Sequence, residues 1–422
     1  PEQFDFESTE SVEPIEGVVG QPAAAEALLF GLECAAHGQN IFVRGLTGTG
    51  RMTLVRRMLK QLDTVCRVKH DRCYVHNFSA PEQPRLISLP AGTGRTFRRR
   101  VHQLAEFIRD NLVETLNADA IKARRESLER RINKEVETIT KPFEQALKDA
   151  ELALVSIQMG PVAQTAIFPV HDGKPVPPEE WEQLRAQGAI TDEVYEERDK
   201  RHQSFRKRME EVSDQVRGVR RKGARAIHSI IEETTRAVLG NMARDILVDH
   251  PGEAVQRFLS EVVDDVAESR LTTSEQEQLE DPVRLYGVNL LLERDPDLPE
   301  GCPIVVENTP TLTNLLGTVD REWRPNGPVR SDYSQIRAGS LLRADGGFLI
   351  LEARDVLMEP GAWKVLIRTL RNSKLEIVPP EFASPFFAST LKPEPIPISV
   401  KVILLGDSGL FHMLDSYDPD FG

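Results

Sequence analysis

The fold is decided by a glycine-rich stretch near the N-terminus, Gly45-Leu46-Thr47-Gly48-Thr49-Gly50-Arg51-Met52-Thr53. A short apolar run at 40–44 precedes it, and apolar residues follow it at helical spacing, at positions 54, 55, 58, 59 and 62. The order strand, glycine turn, helix is the setting of the nucleotide-binding pattern GxxxxGK[ST], whose backbone N–H groups surround a phosphate. The stretch therefore predicts a phosphate-binding loop. A plain strand-to-helix turn is the alternative, but it would not need three glycines.

Two residues at the end of this loop depart from the pattern. Arg51 stands in the place of the lysine, and its planar guanidinium meets a phosphate with a different geometry. Met52 stands in the place of the Ser/Thr that binds Mg²⁺, and a thioether offers no oxygen to a hard cation. Thr53 follows about 100° further round the helix, so we expect it to point elsewhere. ATP with Mg²⁺ is the cofactor that the loop suggests, and these changes argue against its hydrolysis.

A second apolar strand, at 347–353, has the position expected for the metal-binding and water-activating carboxylates. Glu352 takes the metal-side position, and Ala353 takes the position of the Glu that activates water. The predicted nucleotide site thus keeps its shape and lacks two working oxygens. A fold that is kept only as a scaffold is the alternative.

A long segment from 99 to 247 has a helical pattern. Its first arm has apolar residues spaced by about 3.6 positions, the helical period, at 128, 132, 136, 139, 143, 147, 150, 154 and 157. Its second arm has them at 205, 209, 212, 216 and 219. We expect Pro142 to kink or split the first arm. The pattern predicts a coiled-coil-like helical hairpin, for which a simple spacer role is the alternative.

The tip between the arms, at 160–178, is poor in helix signals and predicts a strand and a turn. Its apolar Ile167, Phe168 and Val170, together with Trp181, suit transient contact with exposed hydrophobic segments of unfolded chains. The alternative is that these side chains form a small core of the tip itself.

Strand candidates return at 288–292, 304–306, 348–351 and 400–405, and the last two are nearly pure Val, Ile, Leu and Phe, as in buried parallel strands. The sequence thus predicts an α/β fold, a doubly wound parallel sheet that is split by the helical insertion. Four domains are predicted. They are a first half of the core at 1–98 with the loop at 45–53, a hairpin at 99–247, a helical connection at 248–283 and a second half of the core at 284–422.

Composition limits the partners and the compartment. The net charge is −13, from 53 basic and 66 acidic residues, so neither a nucleic-acid nor a membrane partner is expected. The four cysteines form no CxxC pair, which favours a reducing, cytoplasmic location. The chain begins with Pro1 and stops soon after an apolar strand, so we expect it to be a piece of a longer protein.

Three smaller signals are set aside. Cys66, His70, Cys73 and His76 have the residue types of a zinc site, but Cys73 and His76 face opposite sides of one predicted strand. The sequence 406–409, Gly-Asp-Ser-Gly, is similar to a protease nucleophile loop but ends a buried strand. The basic clusters at 98–100 and 220–222 are expected to be solvated or paired with glutamates.

Taken together, these segments resemble the Lon-like proteases, and more closely the branch whose N-terminal AAA+ module has altered nucleotide motifs and a long helical insertion. The resemblance extends over nearly the whole chain and is carried by the segments 17–21, 45–51, 74–78, 307–311, 314–317, 336–341 and 343–347. In AAA+ proteins, a polar residue at the end of such a buried strand senses the γ-phosphate. The resemblance implies that Asp407 is the candidate for this residue. The implied nucleotide contacts are Gly45, Thr47, Gly48, Thr49, Gly50, Arg51, Met52, Thr53, Glu352 and Asp407.

The family's Ser-Lys peptidase domain lies C-terminal to this module, and nothing here matches its serine motif. No catalytic residue and no metal ligand is therefore predicted in this chain. The resemblance implies a cytoplasmic homo-oligomer, a hexameric ring that passes unfolded or damaged proteins to the peptidase, with weak or no ATP hydrolysis as in the LonC-type members. Two alternatives stay open: a working ATP-dependent unfoldase that uses Arg51 and Glu352, and a non-enzymatic scaffold that binds a partner through its arms.

Overall fold

The structure of the protein is a computed structural model. It describes residues 8, 10, 21–34, 38–46, 48–61, 70–159, 162–171, 173–188, 190–270, 280–294, 302–320, 322, 331–377, 391–419 and 421. Several residues that the sequence singled out lie outside this set: Thr47, Cys66, the segment 17–20 and part of the predicted tip.

Fourteen α-helices and fourteen strands are present in the described residues. The helices are α1 (Pro22–Glu33), α2 (Arg51–Gln61), α3 (Gly94–Asp110), α4 (Leu112–Leu116), α5 (Asp119–Asp149), α6 (Pro178–Ala186), α7 (Asp192–Asp249), α8 (Glu253–Asp265), α9 (Pro282–Leu285), α10 (Leu312–Leu316), α11 (Ser340–Arg343), α12 (Ala353–Met358), α13 (Ala362–Asn372) and α14 (Ser408–Tyr417). The strands are β1 (Ile41–Arg44), β2 (His70–Val75), β3 (Arg85–Pro90), β4 (Leu152–Met159), β5 (Val162–His171), β6 (Lys174–Pro175), β7 (Val288–Leu292), β8 (Ile304–Glu307), β9 (Gly317–Val319), β10 (Ile336–Ala338), β11 (Phe348–Glu352), β12 (Lys374–Leu375), β13 (Ile396–Pro397) and β14 (Lys401–Gly406).

The chain divides into two compact units. The first consists of Pro1–Arg109, Asn241–Val263 and Glu275–Gly422, and the second of Asp110–Gly240 and Asp264–Ser274. No helix in the described part of the chain combines the length and the apolar character that crossing a membrane requires.

A four-stranded parallel sheet with the order β1-β14-β11-β8 forms the centre of the first unit. The side chains of β11 alternate between two apolar clusters. Ile350 packs with α1 and α2 residues such as Leu28 and Val55, and Leu349 packs with residues such as Leu366 of α13. Apolar side chains on both sides explain why β11 and β14 are nearly pure Val, Ile, Leu and Phe. The expectation of a mixed α/β fold with a parallel sheet is confirmed.

A second, antiparallel sheet with the order β3-β2-β7 corrects part of the strand prediction. The predicted strand at 288–292, β7, pairs with β2, the strand that contains Cys73, and not with the parallel sheet. β3 lies among prolines and is not one of the predicted strands. Its Ile87 and Leu89 are buried while Ser88 is exposed, the alternation of an antiparallel strand with one face on the core. The prolines flank β3 or stand at its end, where the missing N–H costs little.

Asp71 and Arg72 of β2 are buried and contact polar groups of neighbouring segments. Both carboxylate oxygens of Asp71 accept backbone N–H bonds, from Gly94 and from Arg294, each at 2.7 Å. Arg72 donates to Ser88 Oγ and lies 3.5 Å from the carboxylate of Asp345. This network ties the antiparallel sheet to the segment that leads into β11.

In the second unit, α5 and α7 pack on each other. The ring of Phe143 lies 6.1 Å from that of Phe205, and Ile132 contacts the helix surface at Gly223, so the two helices run in opposite directions. α5 is one helix that contains Pro142, so of the two expected effects of this proline the split is wrong and the kink stays a prediction.

The first arm is also shorter than its apolar spacing indicated. Positions 154 and 157 lie in β4, which pairs with β5 in an antiparallel sheet. Glu151 adopts a left-handed φ of +54° just after α5 ends. That conformation cannot continue a helix, which separates α5 from β4.

The apolar residues of the tip region form cores. Ile167 is buried with Phe143 and Leu147, and Trp181 is buried with Val176 and Ile190. The expectation that Ile167 and Trp181 offer exposed apolar surface is therefore wrong, because burial within the unit already removes them from water.

Candidate nucleotide-binding site

The glycine loop lies at the carboxyl end of the parallel sheet. Arg44 ends β1 opposite Gly406, the last residue of β14. The N–H of Gly45 then donates to the carbonyl of Gly406 at 3.0 Å. Glu352, which ends β11, is level with Leu405. Ligands of parallel α/β sheets bind at this edge, so the loop and Glu352 occupy the position of a binding site.

Two glycines of the loop have backbone conformations that other residues rarely adopt. Gly48 has a φ of +85° and Gly50 a φ of +77°. Between them, Thr49 closes a turn: its hydroxyl donates to the carbonyl of Leu46 at 2.7 Å, and its N–H donates to the same oxygen at 3.3 Å. A Cβ at Gly48 or Gly50 would meet no atom of the described residues within 4 Å, so these residues leave the space above the two glycines open.

Arg51, the first residue of α2, is nearly buried beside this loop. Its Nη2 lies 3.6 Å from Glu352 Oε2, with 10% of the Arg51 side chain and 39% of the Glu352 side chain exposed. That distance is an ion pair and too long for a hydrogen bond. The Nη1 atom is buried and has no hydrogen-bond partner in the described residues. A buried donor without an acceptor costs about 1–3 kcal/mol, and a phosphate oxygen is an acceptor of the right charge.

Met52 is a packing residue. It lies against the apolar cluster that α1 and α2 form with β11 and β14. Thr53, whose hydroxyl comes next along the chain, is exposed. Thr49 is the other described hydroxyl of the loop, and it is hydrogen-bonded to Leu46. The structure therefore supplies no oxygen at the Met52 position.

Ala353 is fully buried at the first turn of α12. Its Cβ lies 3.3 Å from the position that a Cβ on Gly406 would occupy, and Phe42 Cζ lies 2.5 Å from that same position. The place of the water-activating carboxylate is thus tightly packed core. Position 406 therefore requires a glycine. The sequence did not predict this requirement, and its available signal was a glycine at the end of an apolar strand.

Asp407 follows Gly406 and caps α14. Its Oδ1 accepts a hydrogen bond from the N–H of Leu410 at 2.9 Å. The residue is half-buried and lies one position from the glycine that binds the start of the loop. The structure thus brings Gly45, Arg51, Glu352 and Asp407 to one edge of the sheet, whereas Thr53 is exposed on α2 and Thr47 lies outside the described residues.

The residues present fit a phosphate and do not fit a magnesium ion. The phosphate side has the open glycine turn and the unpartnered Arg51 donor. On the metal side, Met52 is apolar, and the carboxylate of Glu352 is paired with a guanidinium. Across the described ranges, no group of three or more His, Cys, Asp or Glu side chains could hold a metal ion.

Two family profiles match the chain. One, described as "LonB-like, AAA domain", matches residues 300–422. The other, described as "Lon-like LonC helical domain", matches residues 71–104. The first match includes Glu352 and Asp407, and neither includes the loop at 45–53.

The other comparisons add little. No curated protein matches the sequence. Among solved structures, NtrX from Brucella abortus is similar over 49% of this chain and 41% of that chain, at 14% identity and a TM-score of 0.19, a value too low to carry any inference about the fold. The two family matches agree with the resemblance drawn from the sequence. The matches at 71–104 and 300–422 thus support a likeness to an N-terminal module of the Lon-like protease family.

Proposed function

We propose that this chain is a AAA+-like module that binds the phosphate groups of a nucleotide and hydrolyses ATP weakly or not at all. The observation that carries the proposal is the nearly buried Arg51 guanidinium, which lies beside the open glycine loop with one donor unpartnered. The match of residues 300–422 to a LonB-like AAA domain supports nucleotide binding in general terms.

Phosphate binding follows from the loop and from Arg51. Backbone N–H groups at the start of α2 attract an anion, and the positive end of the helix dipole adds to this attraction. Glu352 lies next to the guanidinium and offsets part of its charge. Arg51 is thus the cation that makes phosphate binding favourable at this edge.

Weak hydrolysis follows from Met52 and Ala353. Phosphoryl transfer relies on a metal ion that bridges the phosphates and on a group that orients the attacking water. Met52 packs in the core in place of a hydroxyl, and Ala353 is buried in place of a carboxylate. The missing hydroxyl and the missing carboxylate are thus both replaced by side chains that pack in the core.

Calorimetric titration of the protein with ATP tests the binding. We expect equal affinity in EDTA and in Mg²⁺, and a loss of about tenfold or more in Arg51→Ala, since hydrogen bonds to charged groups are worth about 1.5–3 kcal/mol. Arg56→Ala, an exposed arginine of the same helix, is the matched control and should bind as the parent does. Absence of ATP binding would favour the scaffold alternative, and binding that requires Mg²⁺ would favour the unfoldase alternative.

We further propose, from the two family matches, that the whole protein is a Lon-like protease. It is a cytoplasmic homo-oligomer, a hexameric ring, that passes unfolded or damaged proteins to a Ser-Lys peptidase domain. In architecture, this module is a doubly wound AAA+ sheet with an inserted helical hairpin. Light scattering of the full-length protein tests the ring, and a strict monomer at micromolar concentration would contradict it.

A further inference from the structure

The first unit contains a cavity of about 430 Å³ that the nucleotide loop does not line. Three arginines and a histidine of α3 and α9 form part of its wall, namely Arg98, Arg99, His102 and Arg284. Apolar side chains, Val283 and Val288, form another part. Small-molecule sites typically have volumes of roughly 300–1,000 Å³ and mix apolar walls with a few charged groups.

Two of these cations are unusual because they are unpaired. Arg98 and Arg99 are exposed, and neither has an ion pair or a hydrogen bond within the described residues. Their neighbours on the same helix are paired: Arg95 lies 2.9 Å from Glu293, and Arg100 lies 2.6 Å from Asp249. The 98–100 cluster was expected to be solvated or paired with glutamates: Arg98 and Arg99 are exposed, and Arg100 is paired with an aspartate.

The α3 helix presents its cations on the side away from its core. Its buried face consists of Phe97, Val101, Leu104, Ala105 and Ile108. Arg98 and His102 are four positions apart, so they are neighbours one turn apart on the helix surface. His102 lies 3.4 Å from Glu106, which does not line the cavity.

The wall opposite α3 is held in place by an ion-pair network. Arg284 lies 2.6 Å from the carboxylate of Asp332 and also pairs with Glu322. The hydroxyl of Tyr333 donates to the carbonyl of Arg284 at 2.6 Å. Neither Asp332 nor Glu322 lines the cavity, so the anions that neutralise Arg284 do not face a ligand there.

The Arg284 network is ionised at neutral pH. The hydrogen bond with Glu322, together with that of Asp332, raises the pKa of Arg284 although burial opposes it. Burial raises the pKa of Asp332, but hydrogen bonds from Ser334 and Arg284 outweigh it and leave that pKa below its ordinary value. The wall is therefore fixed, and the charge available to a ligand is that of Arg98 and Arg99.

We propose that this cavity binds a small organic anion, an apolar body that carries a phosphate or a carboxylate group. The two unpaired guanidinium groups suit a planar or tetrahedral oxyanion, to which arginine donates with two parallel N–H bonds. Val283 and Val288 suit the apolar body. Because Arg98 and Arg99 are exposed, the charged group lies at the mouth of the cavity.

Calorimetric titration of the protein with phenyl phosphate and with benzoate tests the proposal and separates the two oxyanions. Two ligand controls are inorganic phosphate, which has the anionic group alone, and phenol, which has the apolar body alone. We expect at least one of the two organic anions to bind with a Kd of about 1 mM or tighter, and about tenfold more tightly than either half alone.

Variants test whether the anion binds in this cavity. Arg98→Ala with Arg99→Ala should weaken it about tenfold or more, since each removes charge-assisted hydrogen bonds. Arg95→Ala with Arg100→Ala removes the same charge from the same helix and should leave the affinity unchanged. Hydrogen–deuterium exchange on the parent protein gives an independent readout, with ligand-dependent protection expected at 98–102 and 283–288.

Three results would each overturn the proposal. The first is no binding of either organic anion up to about 10 mM, because a functional site binds its ligand more tightly than that. The second is equal affinity in the Arg98/Arg99 double variant. The third is protection that appears only at 45–53, which would assign the binding to the nucleotide loop.

Discussion

The guanidinium of Arg51 lies 3.6 Å from the carboxylate of Glu352, across the edge where β1 and β11 end. The residue that replaces the loop lysine is thus paired with the residue that replaces the metal-binding aspartate. This pairing underlies our proposal that Arg51 binds a phosphate and that Glu352, engaged by the guanidinium, does not bind a metal ion.

Glu352→Gln should tighten ATP binding. Glu352 competes with a phosphate for Arg51 and repels the anion, and its partly exposed position limits the effect to that of an exposed ion pair, about 1 kcal/mol or a two- to fivefold gain in affinity. Asp355→Asn, which removes an exposed carboxylate of α12, is the control and should change little. Weaker binding in Glu352→Gln would show that Glu352 supports the nucleotide instead of opposing it.

Ala353→Glu should destabilise the protein instead of restoring catalysis. Ala353 is fully buried, and a carboxylate placed there without partners costs about 2–5 kcal/mol of the free energy of unfolding. Urea unfolding measures the loss, and Arg354→Glu, at the exposed next position, is the control. A variant of unchanged stability that hydrolyses ATP would show that this side chain reaches the nucleotide.

Gly223→Ala should loosen the packing of α5 on α7. A Cβ at this position would lie 2.4 Å from Ile132 Cδ1 and 2.8 Å from Cγ1, and a β-branched side chain in a helix has little freedom to move away. We expect a loss of about 1–3 kcal/mol, as in overpacked cores.

Gly218→Ala is the matched control for Gly223→Ala. It lies in the same helix with nothing within 4 Å of its built Cβ, so it should gain about 0.5–1 kcal/mol from helix propensity. Equal gains in stability for both variants in thermal unfolding would contradict the close approach of Ile132 to Gly223.

Asp332 should stabilise the protein in a pH-dependent way. Burial raises its pKa, but the hydrogen bonds from Ser334 and Arg284 outweigh burial, so the folded-state pKa lies below the unfolded one. The stabilisation is thus fully present above the ordinary Asp pKa of about 3.9 and is lost as the pH falls through the lowered folded-state value. The difference in unfolding free energy between the parent and Asp332→Asn should be larger at pH 7 than at pH 3. Asp415→Asn, at an exposed position, should show no such trend.

The local parts of the fold could be predicted from the sequence. The glycine loop, β11 and β14 each have a signature within one short stretch, glycines between a strand and a helix or an unbroken apolar run. Strand partners could not be predicted in this way. β2 and β7 pair with each other although more than 200 residues separate them, and β3 was hidden by the prolines around it.

The same limit applies to the candidate site. The residue types at Arg51, Met52, Glu352 and Ala353 indicated altered chemistry. The pairing of Arg51 with Glu352 and the burial of Ala353 depend on which strands are neighbours, and only the structure shows that. The burial of Ile167 and Trp181 is of the same kind, because apolar side chains look alike in sequence whether they are exposed or in a core.

Steady-state phosphate release from ATP in Mg²⁺, on protein that calorimetry shows to bind ATP, tests the central claim most directly. We predict bound ATP and a turnover below about 10⁻³ s⁻¹, far under the usual enzyme range of about 1–10³ s⁻¹, with the same value in Arg51→Ala. Mg²⁺-dependent turnover in the usual range that Arg51→Ala abolishes would contradict the claim. It would show that a site with Met52 and Ala353 still performs hydrolysis.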